Sequence, residues 1–183
     1  YSDLGAKLRL LRGEDTIVVK LPSSLDVPSD SQAFYVTRSG SLHLVGRGVR
    51  MVPTCASLAP GADPTQAGAW SMQPSGNNEN SFDLPSSNSR MALDWARQRI
   101  WYSYTKNYKL YAACAPLGTR QSSGWQSWEI PLPAGTKVSA HRLAASVTGA
   151  TGLIYLLYYK DGGRELHFRW LSPSGPGSDT LVG

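Results

Sequence analysis

Cysteine, phenylalanine, charge and long apolar runs are all scarce in this chain. Two cysteines and three phenylalanines occur among 183 residues. Two cysteines are too few for a disulfide-stapled miniprotein. No apolar run reaches the ~18 residues that span a bilayer as a helix. No N-terminal stretch joins a basic flank to an apolar run, and the chain opens on Tyr1, so a processed or trimmed start is expected. Charged residues make up 17%, too few for a coiled coil, and 41% hydrophobic content excludes a disordered chain. A chain of this length fits one ordinary domain and buries roughly 70% of its unfolded surface.

What is present is informative. The net charge is +5, but Lys7, Arg9, Arg12, Arg47, Arg50, Arg97 and Arg99 are scattered rather than gathered in a run, so no nucleic-acid surface is expected. Six Trp and nine Tyr outnumber Phe. Both pair an apolar ring with a polar handle, which suits half-exposed surfaces.

Strand signals recur and helical periodicity is nearly absent. Short runs rich in Val, Ile, Tyr, Leu and Trp alternate with Gly, Ser, Asn and Pro clusters, which predicts an all-β fold. Predicted strands include Lys7–Arg12, Thr16–Leu21, Ala33–Arg38, Leu42–Gly46, Val49–Cys55, Ala69–Gln73, Arg90–Trp95 and Ile100–Thr105. Further on come Lys109–Cys114, Trp125–Ile130, Arg142–Thr148, Leu153–Tyr159, Glu165–Leu171 and Asp179–Val182. Lys106-Asn107 and Asp161-Gly162-Gly163 have turn chemistry.

These strands fall into repeats. Three units, approximately 31–85, 89–131 and 141–183, each offer four strands, with 6–22 as a partial unit. Trp-bearing or apolar strands leading to Pro, as in Trp125–Pro131, Ser81–Pro85 and Thr16–Pro22, punctuate them. Four strands per roughly 50 residues match a β-propeller blade, giving about three and a half blades; a β-sandwich is the competing architecture. Neighbouring blades pack about 10 Å apart, beyond the roughly 7 Å Cα reach of a disulfide, so Cys55 and Cys114 are expected as free, buried thiols.

The segment Arg142-Leu143-Ala144-Ala145-Ser146-Val147, the strand ending Tyr158-Tyr159-Lys160, and Asp161-Gly162-Gly163-Arg164-Glu165-Leu166 together resemble the fungal fucose-binding lectin family of multi-bladed propellers. That resemblance implies a sugar held between adjacent blades by an Arg, a Glu and a covering indole. Glu165 matches the family Glu, and Leu110 and Met51 occupy the corresponding third-strand positions. The Arg position falls near His43, Trp101 and Leu156, and Trp125 and Trp70 stand where the covering indole would be. The implied ligand-binding set is Glu165, Trp125, Trp101, Arg99, Trp70 and His43.

Catalytic patterns are missing. The thirteen acids are scattered, with only Glu14-Asp15 adjacent, beside a turn-forming Gly13. His43, His141 and His167 lie in different units, with no metal-ligand spacing, phosphate loop or Gly-x-Ser-x-Gly elbow. No enzymatic activity and no cofactor are expected. Trp95, Trp101, Tyr102, Tyr104, Trp125 and Trp128 fall close together and offer stacking surfaces, with Arg97, Arg99 or Glu165 as hydrogen-bonding partners.

Two functions stay open: a saccharide- or glycan-binding lectin, and a protein-interaction scaffold with degenerate sugar sites. Uncovered blade faces would favour a homodimer that closes the propeller. A four-bladed monomer and a fragment of a longer propeller are the alternatives. No Asn-x-Ser/Thr sequon marks the compartment, and a secreted or extracellular setting is the favoured one.

Overall fold

The structure, a computed structural model, describes residues 9–12, 15–23, 25, 34–47, 52–73, 90–119, 122–133, 136–145, 154–160 and 164–182. Among them the protein is all-β, with two single-turn 3-10 helices at Ala67–Ala69 and Ser122–Gly124 as its helical content. No helix among the described residues is long and apolar enough to cross a membrane.

A two-stranded hairpin, β1 (Arg9–Arg12) with β2 (Asp15–Val18), comes first. Three antiparallel meanders follow, each pairing strands in chain order. The first sheet holds β3 (Phe34–Val36), β4 (Leu42–Arg47), β5 (Pro53–Leu58) and β6 (Trp70–Gln73). The second holds β7 (Arg90–Asp94), β8 (Arg99–Lys106), β9 (Lys109–Pro116) and β10 (Gln126–Glu129). The third holds β11 (Val138–Ala145), β12 (Ile154–Lys160) and β13 (Glu165–Ser172). Its far edge carries two short strands, β14 (Gly175–Pro176) and β15 (Thr180–Val182), both paired with β13.

Several predicted boundaries move, each for a local reason. The predicted strand Val49–Cys55 becomes β5, because Pro53, lacking an N–H, starts the strand and the pairing with β4 continues to Leu58. Of the predicted strand Arg142–Thr148, residues 142–145 lie in β11, which begins earlier, at Val138, with a register irregularity between Val138 and Ala140. Lys106 still pairs with Lys109, so the β8–β9 turn falls on Asn107 and Tyr108. Their φ values of 51° and 62° form the primed geometry that matches strand twist. The predicted strand Asp179–Val182 is observed as β15, and the short β14 ahead of it is not among the predicted strands. The turn at Asp161-Gly162-Gly163, the segment Ser81–Pro85, Gly13 and Glu14, and the parts of predicted strands at 7–8, 33, 49–51, 146–148 and 153 lie outside the described residues.

The sheets stack in chain order. β7 lies against β3 and β4 on one side and against β11 on the other. Along β8, Ile100, Tyr102 and Tyr104 join Met91, Leu93 and Ala113 toward the first sheet. Trp101, with Ala92, Leu110, Ala112 and Cys114, faces the third. The second sheet is therefore buried on both faces, which is why β8 and β9 read as nearly unbroken apolar runs. Each fully buried side chain such as Ile100 or Leu156 contributes about 1.5–3 kcal/mol by leaving water. The far face of the first sheet, with Leu42, Leu44, Ala56, Leu58 and Trp70, is covered by Val19 and Leu25.

Cys55 belongs to the layer between the first two sheets and Cys114 to the next layer, so the second sheet stands between them. Both are free and buried. Burial pushes the Cys55 thiol up to about 11 and raises Cys114 as well, keeping both protonated.

Candidate functional site

Alternation along β12 sends successive side chains to opposite faces. Ile154, Leu156 and Tyr158 are buried toward the second sheet, while Tyr155, Leu157 and Tyr159 take the other face. Strand register sets Tyr155 beside Trp170, Leu157 between Arg142 and Phe168, and Tyr159 between Ala140 and Leu166. This outer face stays open: Trp170 is 44% exposed and Tyr159 40%. A groove of about 260 Å³ runs along it, lined by residues 140–142 of β11, 157–159 of β12 and Leu166 of β13.

Two features organise this face. The first is a seat for the Trp170 ring. A Cβ on Gly177 would come within 2.1 Å of the indole, and the Gly177 N–H donates to the Trp170 carbonyl at 2.9 Å. Only glycine leaves room for the ring there, so the indole is held before any ligand arrives. The second is Arg142. This exposed residue donates one hydrogen bond from its guanidinium to the His141 carbonyl at 2.9 Å, and pairs with no carboxylate among the described residues.

Behind the groove a buried polar network fixes the same segment. Lys160 Nζ donates to Asp179 at 2.8 Å, and the Tyr158 hydroxyl donates to the other Asp179 oxygen. Arg169 donates to the Tyr158 oxygen at 3.1 Å and to the carbonyls of Gly177 and Pro131 at 2.7 and 2.8 Å. His167 stands between two carboxylates, Nε2 at 3.1 Å from Glu165 and Nδ1 at 3.2 Å from Asp179. Burial pushes Tyr158 up to about 12, and its bond to Asp179 adds to the shift. Burial works against Asp179, yet Lys160 and Tyr158 reverse it and hold the carboxyl below its ordinary range. Through Arg169 and Asp179 the network holds the 177–179 connection, and with it the seat of Trp170.

The six residues singled out from the sequence do not converge. His43 is buried between the first and second sheets, its Nδ1 at 2.7 Å from the Ser57 hydroxyl and its ring stacked 3.6 Å from Trp95. Burial lowers its pKa. Trp125 packs in that layer, edge-on to Tyr102. Trp101 is fully buried in the next layer, stacked on Trp128, and the Arg99 guanidinium reaches the Cys114 sulfur at 3.5 Å. Trp70 is packed on the far side of the first sheet. Glu165 joins the polar network, so it and Trp125 lie on opposite sides of the second sheet.

A separate polar–aromatic cluster lies at the end of the second sheet. Tyr104 stacks on Tyr111 at 5.1 Å, and Glu129 accepts from Lys109 and Tyr111 at 3.0 and 3.2 Å. These contacts lower the Glu129 pKa and raise that of Lys109. Sequence reasoning missed Trp170, Tyr159 and Arg142 as one face. The run Gly175-Pro176-Gly177 was a usable signal, since such glycines mark close approaches to backbone. Among the described residues no group of three or more His, Cys, Asp or Glu could hold a metal ion.

No protein-family model and no curated protein matches this chain. Among solved structures it is similar to an exo-β-1,3-galactanase from Phanerochaete chrysosporium in complex with β-1,3-galactotriose. That match has a TM-score of 0.45 and 10% identity, over 82% of this chain and 38% of that one. The same galactanase with galactose gives a TM-score of 0.45 and 10% identity, over 95% and 43%. It is also similar to a polysaccharide lyase, an ulvan lyase, with a TM-score of 0.43 and 13% identity over 90% of this chain and 40% of that one. The chain thus spans about two fifths of the length of each.

Proposed function

We propose that this chain is a non-catalytic saccharide-binding protein whose stacked meanders are blades of a β-propeller, as in the fungal fucose-binding lectins it resembles. The ligand lies on the outer face of the third sheet. The observation that carries this is the held, exposed indole of Trp170, sharing one sheet face with exposed Tyr159 and a groove. A ring fixed in water gains nothing for the fold from its exposed area, but offers an apolar face to the C–H side of a pyranose. Tyr155 and Tyr159 are four residues apart on that face, roughly 13 Å by strand rise, which suits more than one sugar unit. Among the described residues the groove lining includes no carboxylate, and the nearby described acids are tied up, Asp179 by Lys160 and Glu165 by His167. That supports binding over hydrolysis. Glycan-array screening followed by calorimetry tests the reading: Trp170→Ala and Tyr159→Ala should each weaken the best ligand by about 1–3 kcal/mol. Failure of the unmutated protein to bind any glycan would overturn it.

One observation favours a second reading. The corresponding faces of the first and second sheets are each covered by the next sheet, so the outer face of the third could receive a sheet from a second copy. Sedimentation equilibrium distinguishes the two, since a single 19.8 kDa species rejects the dimer.

A further inference from the structure

The groove carries a charge, on Arg142, that no carboxylate among the described residues neutralises. Arg142 reaches it from β11, opposite Leu157, with Tyr159 one row along and Ala140 and Leu166 completing the apolar lining. One of its five N–H donors is used, on the His141 carbonyl. Of the other cationic side chains near this sheet, Lys160 is committed to Asp179 and Arg169 to Tyr158, Gly177 and Pro131, while Arg164 is exposed just ahead of β13, outside the groove lining. A planar fork over an apolar floor matches a carboxylate carried by an otherwise stackable ring.

Resting on the saccharide reading above, we infer that the groove selects acidic sugars, a uronic acid whose carboxylate meets Arg142 while its ring lies along Leu157 and Tyr159. A neutral sugar would occupy the same floor but leave the guanidinium to water. The acid form gains a charge-assisted pair in a partly desolvated groove.

The test compares an oligogalacturonide with its methyl ester, which keeps every ring hydroxyl and removes the charge. Calorimetry on the intact protein should show the acid binding about tenfold tighter than the ester. Arg142→Gln should reduce that ratio to near one, and Arg142→Lys should keep part of it. Tyr159→Ala should weaken acid and ester alike. The acid preference should shrink as salt is raised. Circular dichroism of Arg142→Gln matching that of the unmutated protein ties the loss to the site. Equal binding of acid and ester overturns the inference and leaves saccharide binding standing. An acid preference that survives in Arg142→Gln also overturns it. If neither form binds and no neutral glycan does, the saccharide reading fails and takes this inference with it. Binding of acidic peptides in place of the oligogalacturonide overturns it too.

Discussion

Trp170 lies against Gly177 so closely that a Cβ on the glycine would sit inside the indole. Gly177→Ala must therefore displace the ring or the 175–179 connection. The expected cost is about 1–3 kcal/mol, typical of overpacking where backbone must shift. Urea denaturation followed by tryptophan emission reads both consequences, a lower midpoint and a shifted emission maximum. An unchanged midpoint would show that the seat is not tight.

Two tryptophans of the same chain should respond in opposite ways to truncation. Trp70 is 6% exposed and packed with Leu44, Ala56 and Leu58, so Trp70→Ala should cost about 3–5 kcal/mol of stability. Trp170→Ala should cost about 1 kcal/mol or less, because nearly half the ring is already in water. Denaturation midpoints of the two variants check this, and equal losses would argue that Trp170 is a packing residue.

The contrast explains how far sequence reading reached. In β8 and β9, Arg99–Lys106 and Lys109–Pro116, the predicted strands lie within two residues of the observed ends, because both faces are buried and the apolar signal is dense. The same density hid the site. In β12, Ile154, Leu156 and Tyr158 are as apolar as Tyr155, Leu157 and Tyr159, so period-two alternation could not say which row is buried. Leu156, placed by resemblance at a sugar-contacting Arg position, faces the second sheet instead. Trp101 and Trp70 look like ligand platforms by type, yet a ring's role depends on which sheet lies over it. Stacking order is long-range information that no local pattern carries.

His141 is 3% exposed, and burial pushes its pKa from 6.5 down to about 4, although a hydrogen bond to the Ser103 backbone works the other way and Arg90 and Arg142 add repulsion. Between those two values the unfolded chain takes up a proton that the folded protein refuses. Stability should thus be full above pH 6.5 and fall by up to about 3 kcal/mol as the pH drops toward 4. His43, also lowered by burial, acts in the same direction. Urea midpoints at a series of pH values check the slope, which should be shallower in His141→Gln. Parallel slopes would reject the assignment.

Lys160 and Asp179 should show strong energetic coupling. Lys160 is 7% exposed and Asp179 26%. Asp179→Asn leaves a buried ammonium poorly compensated and should cost about 2–3 kcal/mol, below the range for a fully buried pair because Asp179 touches solvent. Lys160→Met should cost less, since Tyr158 still bonds the carboxylate. A double-mutant cycle should then give an interaction energy above about 1 kcal/mol. A value near zero would mean that the 177–179 connection is held by Arg169 instead.

The split edge of the third sheet has a bearing on self-association. β13 ends its ladder not on one long strand but on Gly175–Pro176 and Thr180–Val182, separated by residues 177–179, which belong to neither short strand although the Gly177 N–H still bonds Trp170. Pro176 has no N–H to offer, and β15 presents a run of three residues. An incoming strand from another molecule needs a continuous row of donors and acceptors, and this rim breaks that row before a stable register can form. The protein can thus display an aromatic, apolar sheet face to solvent while denying the neighbouring border to fibre growth.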